Sequence, residues 1–475
     1  MMHREQRDAM LPIIARTIIY PLQEAALGRP TFKMLGKLEA SQWLPRAELE
    51  ALQARRLNKL LQLALAHSPW HAERIRAAGL AEQVQAGQLS LADLARLPTM
   101  EKSDAREHID RIVWRDVPGG AHRYNTGGSS GEPLIFFYGR TRQASDAAGR
   151  MRARRWWGVD VGDREVYLWG SPVELSKTDR IKTLRDRLIN QLVLNAFEMS
   201  PARMDSYLLA IEAWRPRCIY GYASSVGLLA AHAIARGRAV RVPELRVVCT
   251  TGEPLYPHQR QLIERAFGPH VANEFGSRDF GFTAHEAPEA QMLLLSENII
   301  LEVLGADGLP VPTGETGEAV VTALTSDAQP FIRYRTGDML ALGNDHSQAR
   351  GLHTLKQVIG RTTDFILRSD GTIMHALSVI YVLRAVDGVS EFKLLQHTVR
   401  DIEVLVVCNA RWTDSSRSQL THGLLERLGK ETRVTIRQVE SIRAEASGKY
   451  RYVVSHVPLP SGLHEMVCPR EDAPA

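Results

Sequence analysis

From Tyr124 onward, short runs rich in β-branched and aromatic residues (Glu165 to Trp169, Leu245 to Thr250, Val271 to Phe275) alternate with stretches of helical spacing (Ser224 to Arg236, Pro257 to Phe267). Apolar strands separated by helices of this length bury both sheet faces, so the alternation predicts an α/β sheet covered by helices. Other periods flank it. From about Glu48 to Ala105 apolar residues recur every three or four positions, at Leu49, Leu52, Leu57, Leu60, Leu61 and Ala64, which predicts a helical preface. Between Glu297 and Leu342 the strand signals are punctuated by Gly and Pro, as in a smaller β-rich lobe. After Gly360, Asp364 to Leu367 and Thr372 to His375 flank the hairpin turn Ser369-Asp370-Gly371. A helix, two strands, a helix and a strand follow, the pattern of a compact α+β domain with its own core. The expected organisation is a helical preface over 1–118, an α/β core with its β-rich lobe over 119–362, and a carboxy-terminal α+β domain over 363–475 that frays after Pro458.

The 475 residues exceed one ordinary core and suit two or three domains, and a composition of 44% hydrophobic and 24% charged residues is that of a globular protein. Cys218, Cys249, Cys408 and Cys468 form no CxxC pair, which implies a reducing, cytoplasmic setting and no structural zinc. The apolar stretch Leu11 to Leu22 is broken by Pro12, Arg16 and Pro21, so it reads as neither a signal peptide nor a membrane span. Packing against the body of the protein is the plain reading of that stretch, with a peripheral membrane contact as the alternative. A net charge of +5 suits polyanionic ligands such as nucleotides, and the scattered basic residues match no nucleic-acid-binding motif.

The strongest local signal is Tyr124-Asn125-Thr126-Gly127-Gly128-Ser129-Ser130-Gly131-Glu132-Pro133, just before the strand-like Leu134 to Tyr138. Glycines let consecutive backbone amides face an anion, and Thr126, Ser129 and Ser130 add hydroxyl donors, which suits the phosphates of ATP. A solvated hairpin turn has the same composition, so the run alone does not decide.

Further along the chain the signal becomes specific. The run resembles the phosphate loop of the adenylate-forming superfamily, and five more segments follow in that family's order. The resemblance extends from about Trp43 to Val454 and is strongest to the phenylacetate-CoA ligase group, including the CapK-like proteins of capsular polysaccharide clusters. It implies a large amino-terminal domain and a small hinged carboxy-terminal one. Thr126, Gly127, Gly128, Ser129, Ser130 and Gly131 would cradle phosphate. Gly252, Glu253 and Pro254, in Thr251-Gly252-Glu253-Pro254-Leu255, resemble the segment that lines the adenine pocket with main chain. In Asn273-Glu274-Phe275-Gly276-Ser277-Arg278-Asp279 the resemblance implies that Phe275 covers the adenine, Ser277 approaches the α-phosphate or carboxylate, and Asp279 ligates Mg²⁺, with Asn273, Glu274 and Gly276 also at the nucleotide. Relatives usually carry Glu at the last position; Asp279 is one methylene shorter, which leaves direct and water-bridged coordination both open.

In Arg333-Tyr334-Arg335-Thr336-Gly337-Asp338, an Asp set by a tight Gly turn can accept hydrogen bonds from both ribose hydroxyls. Gly360-Arg361-Thr362-Thr363-Asp364 resembles the family hinge, which would put Arg361 near ribose and phosphate and the pivot at Thr363 or Asp364. Ala446-Ser447-Gly448-Lys449-Tyr450-Arg451 matches the segment carrying the catalytic lysine, so Lys449 would bridge the attacking carboxylate and the α-phosphate. The phosphate run has Glu132 where many relatives have Lys, and its charge compensation is assigned to Arg140 or Arg142.

The resemblance implies an enzyme that uses ATP and Mg²⁺ to convert a carboxylic acid into acyl-AMP and then transfers the acyl group, with CoA as the expected acceptor. The acyl pocket would lie along Tyr220 to Ser224 and near Trp169 to Ser171. A saccharide or amine acceptor, an AMP ester on a phenolic hydroxyl, and a non-catalytic nucleotide-binding subunit are the alternatives, and a homodimer is compatible with all of them.

Overall fold

A computed structural model describes residues 12–125, 134–169, 189–238, 240–268, 270–305, 307–343, 349–358, 365–442 and 452–457. The described residues fall into two compact units, one within Met1–Thr126, Leu134–Gly162 and Ala272–Gly360, the other within Asp163–Val271 and Arg361–Ala475.

In the first unit the helical preface begins in earnest with Arg46–His67, whose Leu49, Leu57, Leu60, Leu61 and Ala64 are buried along one stripe. Pro69–Ala77 and the capped turn Lys102–Glu107 continue it. Met100 then bridges Tyr334 in parallel register, which ties the preface to the β-rich lobe. That lobe is antiparallel: Ile299–Leu304 pairs with Thr316–Ala323, then Tyr334–Leu342, then Thr354–Val358. Met292–Leu294 and Gly281–Glu286 carry the antiparallel pairing on to the strand His270–Ser277.

The long helix Arg140–Trp156 packs on this sheet although its sequence has few large apolar residues. Its buried positions are largely small, at Ala144, Ser145, Ala148 and Gly149, and a methyl group at Gly149 would run into the Phe282 ring. Close approach of backbone to sheet replaces a stripe of large side chains.

The second unit holds the parallel part of the fold, Val247–Thr251, Cys218–Tyr222, Glu165–Trp169 and Gln191–Asn195 in spatial order. Their residues are near-continuously buried, as expected of strands covered on both faces. Helix Pro201–Trp214 starts where Ser200 Oγ accepts from the Arg203 amide, and Pro257–Phe267 ends at Gly268 with φ +82°. The carboxy-terminal portion has its own core, under the sheet Arg433–Gln438, Asp401–Cys408, Val389–Gln396 and Val453–Ser455. Helices Leu377–Ala385 and Asp414–Leu428 contribute to that core. The hairpin Phe365–Leu367 with Ile373–His375 gains a third strand from Glu198–Met199. The chain is thus α/β with a small α+β carboxy-terminal domain. No helix among the described residues is long and apolar enough to cross a membrane.

Candidate active site

The strand His270–Ser277 delivers Asn273 to Ser277 to a turn that closes at Gly281. A bulge between Phe275 and Gly276 shifts the register there. Gly276 is obligatory, because a Cβ would lie 2.6 Å from the Gly281 carbonyl. Asp279 is buried, and both of its oxygens are engaged: Ser277 Oγ donates to Oδ1 and the Tyr334 hydroxyl donates to Oδ2 at 2.9 Å. Each carboxylate oxygen keeps a lone pair for a further donor or a cation.

Beneath the turn lies Arg142, which donates to the carbonyls of Arg278 and Asp279 and sits 3.7 Å from Asp146. Asp146 in turn accepts from the Phe282 amide at 3.0 Å, so both ends of the turn are held from helix Arg140–Trp156. Desolvation pushes the Asp146 carboxyl above the usual carboxylate range, against the pull of Arg142 and Arg150. Arg142 is therefore a backbone clamp, buried and directed at carbonyls, which corrects its assignment as the charge partner of the phosphate run. Arg140 turns to Gln143 at 3.0 Å.

The neighbouring residues divide by partner. Glu274 is buried and pairs with Arg150 at 3.2 Å. Phe275 joins the core of the unit beside Phe280, so only a small part of its ring remains accessible to a base. Asn273 donates its backbone amide to Glu286 at 2.9 Å, while its side-chain Oδ1 is buried and finds no donor among the described residues. A buried acceptor without a donor costs stability unless something occupies it.

Asp338 is set by a bulge within the strand Tyr334–Leu342 rather than by a turn at its end. Glu318 pairs with Met339 and Val320 with Arg335, so Ala319 alone faces the three residues Thr336 to Asp338. Gly337 takes φ +73° at that point. Thr336 Oγ1 fixes the bulge by donating to the Ala319 carbonyl at 3.0 Å and accepting from the Asp338 amide at 3.1 Å. Arg335 pairs with Glu318, and Arg333 is buried against Glu302 and the carbonyls of Ala95 and Leu97. The arginines of this run are structural, and Asp338 is its half-buried acid.

In the second unit Gly252 has φ +76°, and a Cβ there would stand 3.2 Å from the Tyr222 ring. Glu253 accepts from the Ser224 amide at 3.0 Å, capping helix Ala223–Ala235, whose own N-cap Tyr222 makes no side-chain cap. Pro254 is buried in the same turn. Trp169 stacks on Tyr222 at 4.3 Å and on Tyr220 at 5.7 Å, an aromatic wall at the carboxyl ends of two parallel strands. Thr126 to Gly131, Arg361 and Lys449 lie outside the described residues, as do Thr363 and Asp364. Sequence reasoning missed the roles of Asp146 and of the Tyr334 hydroxyl; an aromatic within the Arg333–Asp338 run was the visible trace of the latter.

No cluster of three or more His, Cys, Asp or Glu able to enclose a metal occurs among the described residues. An acid such as Asp279 instead fits a hard cation whose remaining ligands are substrate oxygens and water.

Residues 366–456 match the CapK C-terminal domain family. Protein CapK of Staphylococcus aureus is 22% identical over 416 residues, covering 86% of this chain and 90% of that protein. Phenylacetate-coenzyme A ligase of Thermus thermophilus is 25% identical over 368 residues, covering 73% of this chain and 77% of the ligase. Among solved structures, 2-hydroxyisobutyryl-CoA ligase with 2-HIB-AMP and CoA in the thioesterification state superposes with TM-score 0.58 at 22% identity, over 88% of this chain and 92% of that one. The same ligase in a postadenylation state gives 0.56 at 22% identity, over 87% and 91%. The chain is thus similar along most of its length to CapK and to phenylacetate-CoA ligase, its residues 366–456 match the CapK C-terminal domain family, and it shares the fold of 2-hydroxyisobutyryl-CoA ligase.

Proposed function

We propose that this protein uses ATP and Mg²⁺ to activate a carboxylic acid as its acyl adenylate and then transfers the acyl group to CoA. The observation that carries this reading is the presentation of Asp338 by the Gly337 bulge, which gives a ribose diol a preorganised acceptor. The unmatched Asn273 Oδ1 supports it, since the exocyclic amine of adenine is a donor of the required kind.

In the reaction a carboxylate oxygen attacks the α-phosphorus, the bond to the β-phosphate oxygen breaks, and pyrophosphate departs with that electron pair. Phosphoryl chemistry of this kind asks for positioning and charge neutralisation more than for a nucleophilic side chain. Ser277 would orient the α-phosphate or the acid, Asp338 would hold the ribose, and Lys449 would stabilise charge on the attacking and α-phosphate oxygens. Mg²⁺, when bound, neutralises triphosphate charge, and Asp279 is the residue that would hold it, directly or through water. CoA sulfur then attacks the acyl carbon and AMP leaves.

Incubating the protein with ATP, an acid panel and CoA tests the reading: AMP and an acyl-CoA thioester are the expected products, and ATP cleaved only to ADP would sink it. Asp338→Ala is expected to weaken ATP binding by about 1.5 to 3 kcal/mol, the range for hydrogen bonds to a charged group. Calorimetry giving wild-type affinity for a folded variant would remove the ribose role. Asp279→Asn is expected to raise the Mg²⁺ concentration needed for half-maximal activity, whereas an unchanged metal titration would mean that the acid serves only Ser277 and Tyr334.

A second reading, transfer to a saccharide or amine, is favoured by the match of residues 366–456 to the CapK C-terminal domain. Under it, acyl-AMP forms as before but CoA does not accelerate its consumption.

A further inference from the structure

We infer that Asp146 is a positioning residue for adenylation: acting through Arg142, its carboxylate sets the turn that carries Ser277 and Asp279. The assignment rests on the reaction proposed above. Arg142, Asp146 and Arg150 follow one another at i, i+4 and i+8, so they share one face of helix Arg140–Trp156. That face grips the segment from Asn273 to Phe282 at both ends. Arg150 pairs with Glu274 in the strand at 3.2 Å, Arg142 donates to the carbonyls of Arg278 and Asp279, and Asp146 accepts from the Phe282 amide at 3.0 Å. Gly281 has φ +98°, and a Cβ there would run into the Asp146 carboxylate, so the turn fits closely over this residue.

Charge makes the grip hold. The Arg142 side chain is only 4% exposed, its two hydrogen bonds go to uncharged carbonyls, and its Nε finds no hydrogen-bond partner among the described residues. A buried guanidinium needs an opposite charge, and Asp146, 3.7 Å away, supplies it from the same helix. Arg150 and Glu274 also act on Asp146 electrostatically, but they pair with each other, so neutralising Asp146 leaves Arg142 as the uncompensated ion. The Asp279 carboxylate, on the residue whose carbonyl Arg142 already holds, then becomes an attractive partner, and a guanidinium drawn to it displaces the turn. Ser277 and Asp279 are bonded to each other and to the Tyr334 hydroxyl, so the two side chains assigned to the reacting phosphate move with that turn.

The test is acid-dependent exchange of labelled pyrophosphate into ATP, together with calorimetric ATP binding, on the full chain, on Asp146→Asn and on Arg155→Gln. Asparagine keeps an oxygen for the Phe282 amide and removes only the charge. Arg155→Gln breaks the pairs to Glu39 and Asp160 on the same helix and controls for lost stability. Asp146→Asn is expected to lower kcat at least ~10-fold, well within the effect of a displacement of about 1 Å at a reacting centre, while ATP affinity stays within about twofold. Arg155→Gln is expected to leave both within about twofold of wild type. Should urea unfolding show that Asp146→Asn does not fold, Arg142→Lys, which keeps the charge and gives up the fork spanning the two carbonyls, is held to the same outcome. A kcat within about twofold of wild type, a fall matched by Arg155→Gln, or a kcat and an ATP affinity that drop together overturns this inference alone. Wild-type protein with no acid-dependent exchange overturns the adenylation reading and this inference with it.

Discussion

Replacing Lys449 with alanine is expected to slow acyl-adenylate formation by at least ~100-fold, the scale for losing one well-aimed charge stabiliser, while nucleotide affinity barely changes. The expectation follows from where charge appears. An ammonium bridging the attacking oxygen and the α-phosphate interacts most strongly in the transition state, and only such differential contacts accelerate a step. In the proposed mechanism Lys449 also lies in a carboxy-terminal domain that moves between the two steps. A lysine on a domain that rearranges between steps serves one of them and not the other. Supplying chemically made acyl-AMP to Lys449→Ala separates the two: transfer to the acceptor is expected to proceed near the wild-type rate. Transfer that collapses together with adenylation would mean that Lys449 maintains the domain instead of serving the chemistry.

Glu297→Gln is expected to cost about 3 to 5 kcal/mol of stability, the range for breaking a buried ion pair by removing one partner. Arg152 and Glu297 are almost wholly buried and meet at 2.5 Å. Ser41 Oγ donates to the same Glu297 oxygen at 2.7 Å, Arg152 also donates to the Leu38 carbonyl at 3.1 Å, and Arg56 donates to the Glu297 carbonyl at 2.8 Å. The cluster therefore joins the helix Thr31–Ser41, the helix Arg140–Trp156 and the segment entering Ile299–Leu304. With a neutral amide at 297 the guanidinium stays buried without a counter-charge. The shift in urea midpoint measures the cost, and the pair Arg152→Met with Glu297→Leu is expected to recover most of it. A single substitution costing under ~1 kcal/mol, as an exposed pair would, contradicts the packing described.

Much of the fold follows from local rules that act within a few residues. The stripe Leu49, Leu57, Leu60, Leu61 and Ala64 is buried as its spacing requires, and Ser369-Asp370-Gly371 turns with Gly371 at φ +79° between the paired strands. Helix Arg140–Trp156 was not legible, because its buried face is made mostly of small residues together with Arg142, Met151 and Arg152, and the charge of Arg152 is matched 145 residues away. The pairing of Glu198–Met199 with Ile373 and Met374 likewise depends on a contact distant in sequence.

The site divides in the same way. Arg333-Tyr334-Arg335-Thr336-Gly337-Asp338 is recognisable as a motif, but that its arginines are structural depends on Glu302 and Glu318 in other strands. Glu253 and Glu274 lie in segments that the resemblance puts at the nucleotide, and only the folded chain shows their carboxylates engaging the amide of Ser224 and Arg150. Arg142 reads as a phosphate cation until the carbonyls above it are known.

The central claim, activation of a carboxylate by adenylation, is tested most directly by exchange of labelled pyrophosphate into ATP across aromatic, fatty and hydroxy acids without any acyl acceptor. The account predicts exchange that requires Mg²⁺ and at least one of these acids, with no CoA present, and that falls in Lys449→Ala. Exchange supported by phenols but by no carboxylic acid, or none with any acid by protein that binds ATP, would contradict it.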